Sequence, residues 1–241
     1  MTDFILMHLR RSLLSGRAYL ILGLAMPLLV ILLLYFTGRS VEGGKLGFPS
    51  SVGGGAVIVA LMAPAVIPLA TVIGSFSPLL LFVNDRSRGV HEYLLAFGKK
   101  PGDIFSALLV SVIVISAILV IVPITAVMVM LYISGPLLLS GFLLETAVYV
   151  VPMGFIVPLF ISGIAAMWVS LTKRTQFVNS PIGIAPLFGL APIMLVLMIN
   201  EFVGPANRVI LTGVITVLMT VATVAIFILA SRLLSGERFI V

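Results

Sequence analysis

The chain has 241 residues, 61% of them hydrophobic and 9% charged. Its mean hydropathy of +1.31 is more than a soluble core requires. The formal charge of +6 belongs in that setting to topological anchoring and anionic headgroups, which excludes nucleic acid as the natural partner. The absence of cysteine excludes disulfides, thiol nucleophiles and cysteine metal sites.

Apolar runs of about 18 residues or more recur along the chain, the pattern of a polytopic membrane protein. In lipid the backbone must satisfy its own hydrogen bonds, so the runs are helices. They are too continuous for a transmembrane barrel, which alternates in short segments. The expected fold is all-α and integral to the membrane. It has six transmembrane helices in one domain, 1–241, with an N-terminal interfacial elbow helix.

The elbow is expected over 2–17. Thr2 or Asp3 can cap it. Phe4, Ile5, Leu9 and Leu13, with Arg10, Arg11 and Arg17 on other faces, suit a helix lying in the headgroup plane. The alternative is a basic tail that only fixes topology. A first span at 19–37 follows. It is longer than a signal-peptide core and lacks a small-residue cleavage site after it, so it reads as retained. The glycine-rich stretch 38–55 reads as an irregular loop. The second span is expected at 56–83.

The segment 84–101 is the one long polar interruption. Residues 88–97 can form a short helix with Val90, Tyr93 or Leu94, and Phe97 on one apolar face. Arg88 and Glu92 stand at i, i+4. Gly98 suits a left-handed C-cap, Lys99 and Lys100 suit the negative helix end, and Pro101 ends it. Asp103 then caps the next span. From the residues alone, this segment is either an interfacial helix stitching two spans together or a contact for a soluble partner.

The remaining spans are expected at 104–133, 141–171, 181–199 and 209–231. A re-entrant piece is an alternative within 135–171. Spans two to four run near 30 residues, about 45 Å of helix against a hydrocarbon core of roughly 30 Å. They must tilt, kink or project. Pro64, Pro68, Pro78, Pro123, Pro152 and Pro158 are the candidate kinks. Glu145 is the acidic residue placed inside a span, near the outer end of the fourth. It is a candidate for a translocation path or a subunit interface, the alternative being a helix-boundary carboxylate.

With six spans, eleven basic residues fall on one side and three (Arg39, Lys45 and Arg208) on the other. The positive-inside rule then places both termini and the 84–101 loop in the cytoplasm. The localisation expected is the cell membrane, multi-pass.

The run Arg88, Gly89, Val90, His91, Glu92, Tyr93, Leu94, Leu95, then Pro101, Asp103 and Ile104, resembles the cytoplasmic motif of type-2 ATP-binding-cassette (ABC) permeases. The basic elbow and Pro27 in the first span resemble that family too. The chain departs from the pattern at Val90, where the family carries Thr, and at Arg86 and Arg88, where it carries acidic residues. The resemblance implies an exporter-type permease subunit whose 84–101 loop holds a coupling helix seated in a cleft of a cytoplasmic ATPase. It implies ATPase contacts at Gly89, Glu92, Tyr93, Leu94 and Leu95, with Arg88 and His91 at the rim, and a secondary contact at Lys173 and Arg174. Partners so implied are two ATPase subunits, which bind ATP and Mg, and a second permease subunit, identical or homologous. The substrate class is hydrophobic: lipid-like, drug or peptide.

No cofactor or metal is expected in the chain itself. His8 and His91 both lie outside the spans without a carboxylate–histidine cluster. Gly53, Gly54 and Gly55 lack the Gly-Lys-Ser/Thr of a phosphate loop, so the chain is expected to be a transport subunit and not itself an enzyme. Two other readings stay open: a secondary carrier or channel, and a six-span membrane enzyme acting on lipid, each without an ATPase.

Overall fold

The computed structural model describes residues 2–39, 53–134, 136–171 and 205–235. They form eight α-helices: α1 Thr2–Ser15, α2 Arg17–Gly38, α3 Gly54–Ser87, α4 Val90–Ala96, α5 Pro101–Ser134, α6 Pro136–Glu145, α7 Val151–Leu171 and α8 Pro205–Ser235. A π-helical segment, Thr146–Val150, joins α6 to α7. Among the described residues, five helices are long and apolar enough to cross a membrane: α2, α3, α5, the α6–α7 helix and α8. The described residues are helical, and the molecule is a multi-pass membrane protein. The span expected at 181–199 lies outside the described residues, as do Lys173 and Arg174.

The helices overrun their expected ends for local reasons. α3 and α5 each reach 34 residues, about 51 Å of helix, well beyond the hydrocarbon core. α5 begins at Pro101, because proline is preorganised for the first helical position. The Asp103 carboxylate accepts the Lys100 backbone N–H at 3.1 Å, closing that end. The fourth span begins at Pro136, five residues before its expected start, so α6 opens a continuous helix and no re-entrant piece precedes it.

α3, α5 and α6–α7 form the centre, while α2 and α8 keep broad apolar faces exposed. The larger core joins Ile31 of α2, Ile67 and Leu79 of α3, Val127 and Leu131 of α5, Tyr149 of the π segment, and Met153 and Val157 of α7. A smaller core lies at the α4 end, around Phe82, Ile104, Leu108, Val112 and Ala230, with Phe4, Leu94 and Leu95 packed against it.

One level of the bundle gathers four of its weakened turns, those of Pro64 and Pro68 in α3 lying elsewhere. Pro27, Pro78, Pro123 and Pro158 each lie inside a helix, and each removes the hydrogen bond to the carbonyl four residues earlier. Those carbonyls belong to Gly23, Gly74, Leu119 and Gly154. The four positions meet. A Cβ at Gly74 would stand 2.0 Å from Leu119 Cδ1, one at Gly154 2.4 Å from Val120 Cγ2, and one at Gly23 3.2 Å from Leu119 Cδ2. Four helices with a missing backbone bond therefore touch around one pair of α5 side chains.

Candidate functional site at the elbow and the short helix

The candidate site is built where α1, the last turns of α3, α4 and the start of α5 come together. Two glycines shape α4. Gly89 takes φ +72° at its N-cap, and Gly98 takes φ +79° after its last turn. Both are left-handed conformations that residues with a Cβ resist. At the C-terminal end the Gly98 N–H donates to Leu95 O at 2.9 Å and the Lys99 N–H to Leu94 O at 3.1 Å. This paired closure is the Schellman motif. The left-handed turn at Gly89 shortens the helix to seven residues from the ten expected over 88–97.

The helix carries two stripes. His91, Leu94 and Leu95, at i, i+3 and i+4, face the smaller core. His91 is only 2% exposed, its ring centroid 4.7 Å from that of Phe82. Leu94 and Leu95 are half-buried against the same core. Tyr93 and Phe97, at i and i+4, face away at 62% and 69% exposure, their ring centroids 4.4 Å apart. The expected single apolar face is therefore divided: Val90 and Leu94 turn inward, Tyr93 and Phe97 outward. His91, expected at the rim of a partner contact, is buried in the chain, because the stripe it shares with two leucines is the one the core takes. Glu92 is exposed and pairs with Arg86 in place of Arg88, which the left-handed turn separates from α4. Gly89 and Arg88 are both exposed. The signal for the outward pair was the i, i+4 aromatic spacing.

α1 is strapped across this region. Arg11 donates to both carboxylate oxygens of Asp85, at 3.0 and 3.1 Å, and Ser77 Oγ donates to the Ser12 carbonyl. The chain passes from α1 to α2 at Gly16, where an added Cβ would stand 1.7 Å from Ser77 Oγ. The expected apolar stripe of α1 (Phe4, Ile5, Leu9, Leu13) is half-buried on the protein. Leu6, Met7 and Leu14 form a second, exposed apolar face. Arg10 and Arg17 stay exposed.

The two histidines, 83 positions apart in the sequence, come within electrostatic reach of each other here. Burial, followed by the Arg86 and His8 charges, lowers the His91 pKa to about 3. Burial lowers that of His8 to about 4, opposed by Asp85 and assisted by Arg11. His8 Nδ1 lies 3.1 Å from Ser111 Oγ. That hydroxyl donates to the Ala107 carbonyl at 2.8 Å, so it accepts from His8. Both imidazoles are neutral at pH 7. Among the described residues, no group of three or more His, Asp or Glu could hold a metal ion.

Glu145 lies apart from this site. It is 7% exposed and ends the ten residues of α6, so it stands deeper in its span than the expected outer end. Thr146 and Tyr149, one and four residues on, are buried with it along the π segment.

The fold and site define a multi-pass helical membrane protein with a short, doubly glycine-bounded helix at one end. The chain matches no family model, no curated protein and no solved structure.

Proposed function

We propose that the chain is the membrane-spanning permease subunit of an ABC transporter of the type-2, exporter class. The observation that carries this reading is the tilted Tyr93–Phe97 ring pair, exposed on a short helix braced between two 34-residue helices. Both rings are exposed and belong to neither core among the described residues, and aromatic side chains anchor protein interfaces. Force applied to α4 reaches α3 through the Gly89 turn and α5 through Pro101. The helix therefore suits transmission from a soluble partner.

The charge asymmetry supports a cytoplasmic side for α4 and both termini in the cell membrane. Two such subunits, identical or homologous, pair above two ATPases that bind ATP and Mg. Closure of the ATPases moves α4 and tilts the spans joined to it, moving a hydrophobic substrate outward. The chain carries no ATPase site of its own. Tyr93 and Phe97 are the principal contacts, with Glu92, Gly89 and Arg88 beside them. Leu94 and Leu95 hold the helix to the spans, and Lys173 and Arg174 form a secondary contact.

The test is purification from native membranes in mild detergent, with mass spectrometry of what co-purifies. A stoichiometric partner bearing a Gly-Lys-Ser/Thr phosphate loop is expected. Tyr93→Ala and Phe97→Ala should each weaken its retention at least about tenfold, the loss typical of an aromatic anchor. A clean preparation without an ATPase would overturn the reading. The secondary-carrier reading would then gain, because a carboxylate buried within a span, as Glu145 is, is the usual mark of such proteins.

A further inference from the structure

A cleft of about 580 Å³ opens beside the elbow, between α1, the first turn of α2 and the last turns of α3. Its lining is apolar at Leu14 and Leu80 and polar at Arg11, Asn84, Asp85 and Arg88. Its level in the bundle is set by the sequence. α1 turns into the first span at Gly16, and the apolar run of α3 gives way to Asn84 and Asp85 there. The cleft thus straddles the boundary between hydrocarbon and water.

Its electrostatics are those of an anion site. Asp85 is 5% exposed and its charge is met by Arg11 through two N–H groups. A guanidinium has five such donors, so Arg11 keeps others for a ligand. Its side chain is 43% exposed. Arg88 is exposed and makes no ion pair among the described residues. One positive charge therefore remains uncompensated among the polar lining residues. The volume lies within the roughly 300–1,000 Å³ of small-molecule sites, far more than a bare phosphate fills, and Leu14 and Leu80 offer nothing to a free anion.

We propose that this cleft binds the headgroup of an anionic phospholipid, its phosphate between Arg11 and Arg88 and its first acyl carbons on Leu14 and Leu80. Guanidinium groups bind phosphate oxygens through charge-assisted, often bidentate hydrogen bonds. Arg88 directly precedes the Gly89 turn, so an occupied cleft ties the elbow to the base of α4. The inference rests on the membrane-spanning fold and not on an ATPase partner.

The test uses the full chain in a neutral detergent. Phosphatidylglycerol, phosphatidylcholine and inorganic phosphate are titrated separately, with bound lipid read by native mass spectrometry and stability by thermal unfolding. Phosphatidylglycerol should bind saturably and raise the unfolding midpoint, at least about tenfold more tightly than phosphatidylcholine, a modest differential for a charged pair. Arg88→Gln should abolish that preference and Arg88→Lys should keep part of it. Leu14→Glu, which sets a carboxylate at the mouth of the cleft on an exposed position, should do the same as Arg88→Gln by a route that leaves both arginines in place. Equal binding of the two lipids, or an undiminished preference in both Arg88→Gln and Leu14→Glu, would overturn the proposal. So would an equal stabilisation by inorganic phosphate alone, which would make this a free-anion site.

Discussion

At the scale of single residues, His91 shows how burial converts an ionisable group into a packing element. Unfolded, its imidazole titrates near 6.5; folded, against Phe82 and beside Arg86, it titrates at about 3. Between those values the unfolded chain holds the extra proton. The contribution of this site to stability is complete above about pH 6.5 and is lost as pH falls toward 3, by at most about 1.4 kcal/mol per pH unit. His8, lowered to about 4, adds to the same window. His91→Phe keeps a ring on Phe82 and removes the titration. The drop in unfolding midpoint between about pH 7 and about pH 4.5 should therefore shrink in that variant; an unchanged drop would mean that His91 is hydrated in the fold. Much at this scale was readable in advance. Gly98 as C-cap and Asp103 at the start of α5 follow from chemistry within a few residues. The inward turn of His91 was not readable, since α4 has two stripes of similar character and only the neighbouring helices select one.

At the scale of elements, the meeting of Gly23, Gly74 and Gly154 with Leu119 and Val120 combines tight contact with lost backbone bonds. The sequence offered six prolines as separate candidate kinks, of which Pro78, Pro123 and Pro158 share a level with Pro27. Their common level is a property of how the helices align. Leu119 is fully buried, so a methyl group added at Gly74 has little room. Gly74→Ala should destabilise the protein by about 1–3 kcal/mol, the usual cost of overpacking. Leu119→Ala made in the same chain should recover part of that loss while being destabilising alone. Detergent unfolding of both singles and the double gives the coupling. Strict additivity would show that the two side chains are not in contact. The same cycle locates the level at which the spans can bend.

At the scale of the whole molecule, the absence of cysteine makes topology directly testable. Single cysteines at Arg10 and Phe97, both exposed, should react with a membrane-impermeant maleimide from the cytoplasmic side. A cysteine at Tyr132, 72% exposed near the far end of α5, should react from the other. With the six spans expected from the sequence, a cysteine at Arg232 should label with Arg10, because six crossings return the chain to its starting side. Labelling of Arg232 with Tyr132 would reduce the crossings to an odd number and undo the charge-based orientation.

The sequence by itself determined that the chain is helical and membrane-embedded, and where most spans lie. It also determined that a short helix closed at Gly98 lies between spans two and three; the left-handed turn at Gly89 that starts it came from the structure. Those follow from apolar run length and from capping chemistry, which act over a few residues. Only the tertiary structure decided that α1 docks on α3 through Arg11 and Asp85, 74 positions apart, and that His8 reaches Ser111 across 103. It likewise decided that Tyr93 and Phe97 face outward and that an arginine-walled cleft opens at the elbow. Such contacts are set by which helix faces pack together, and no local periodicity encodes that choice.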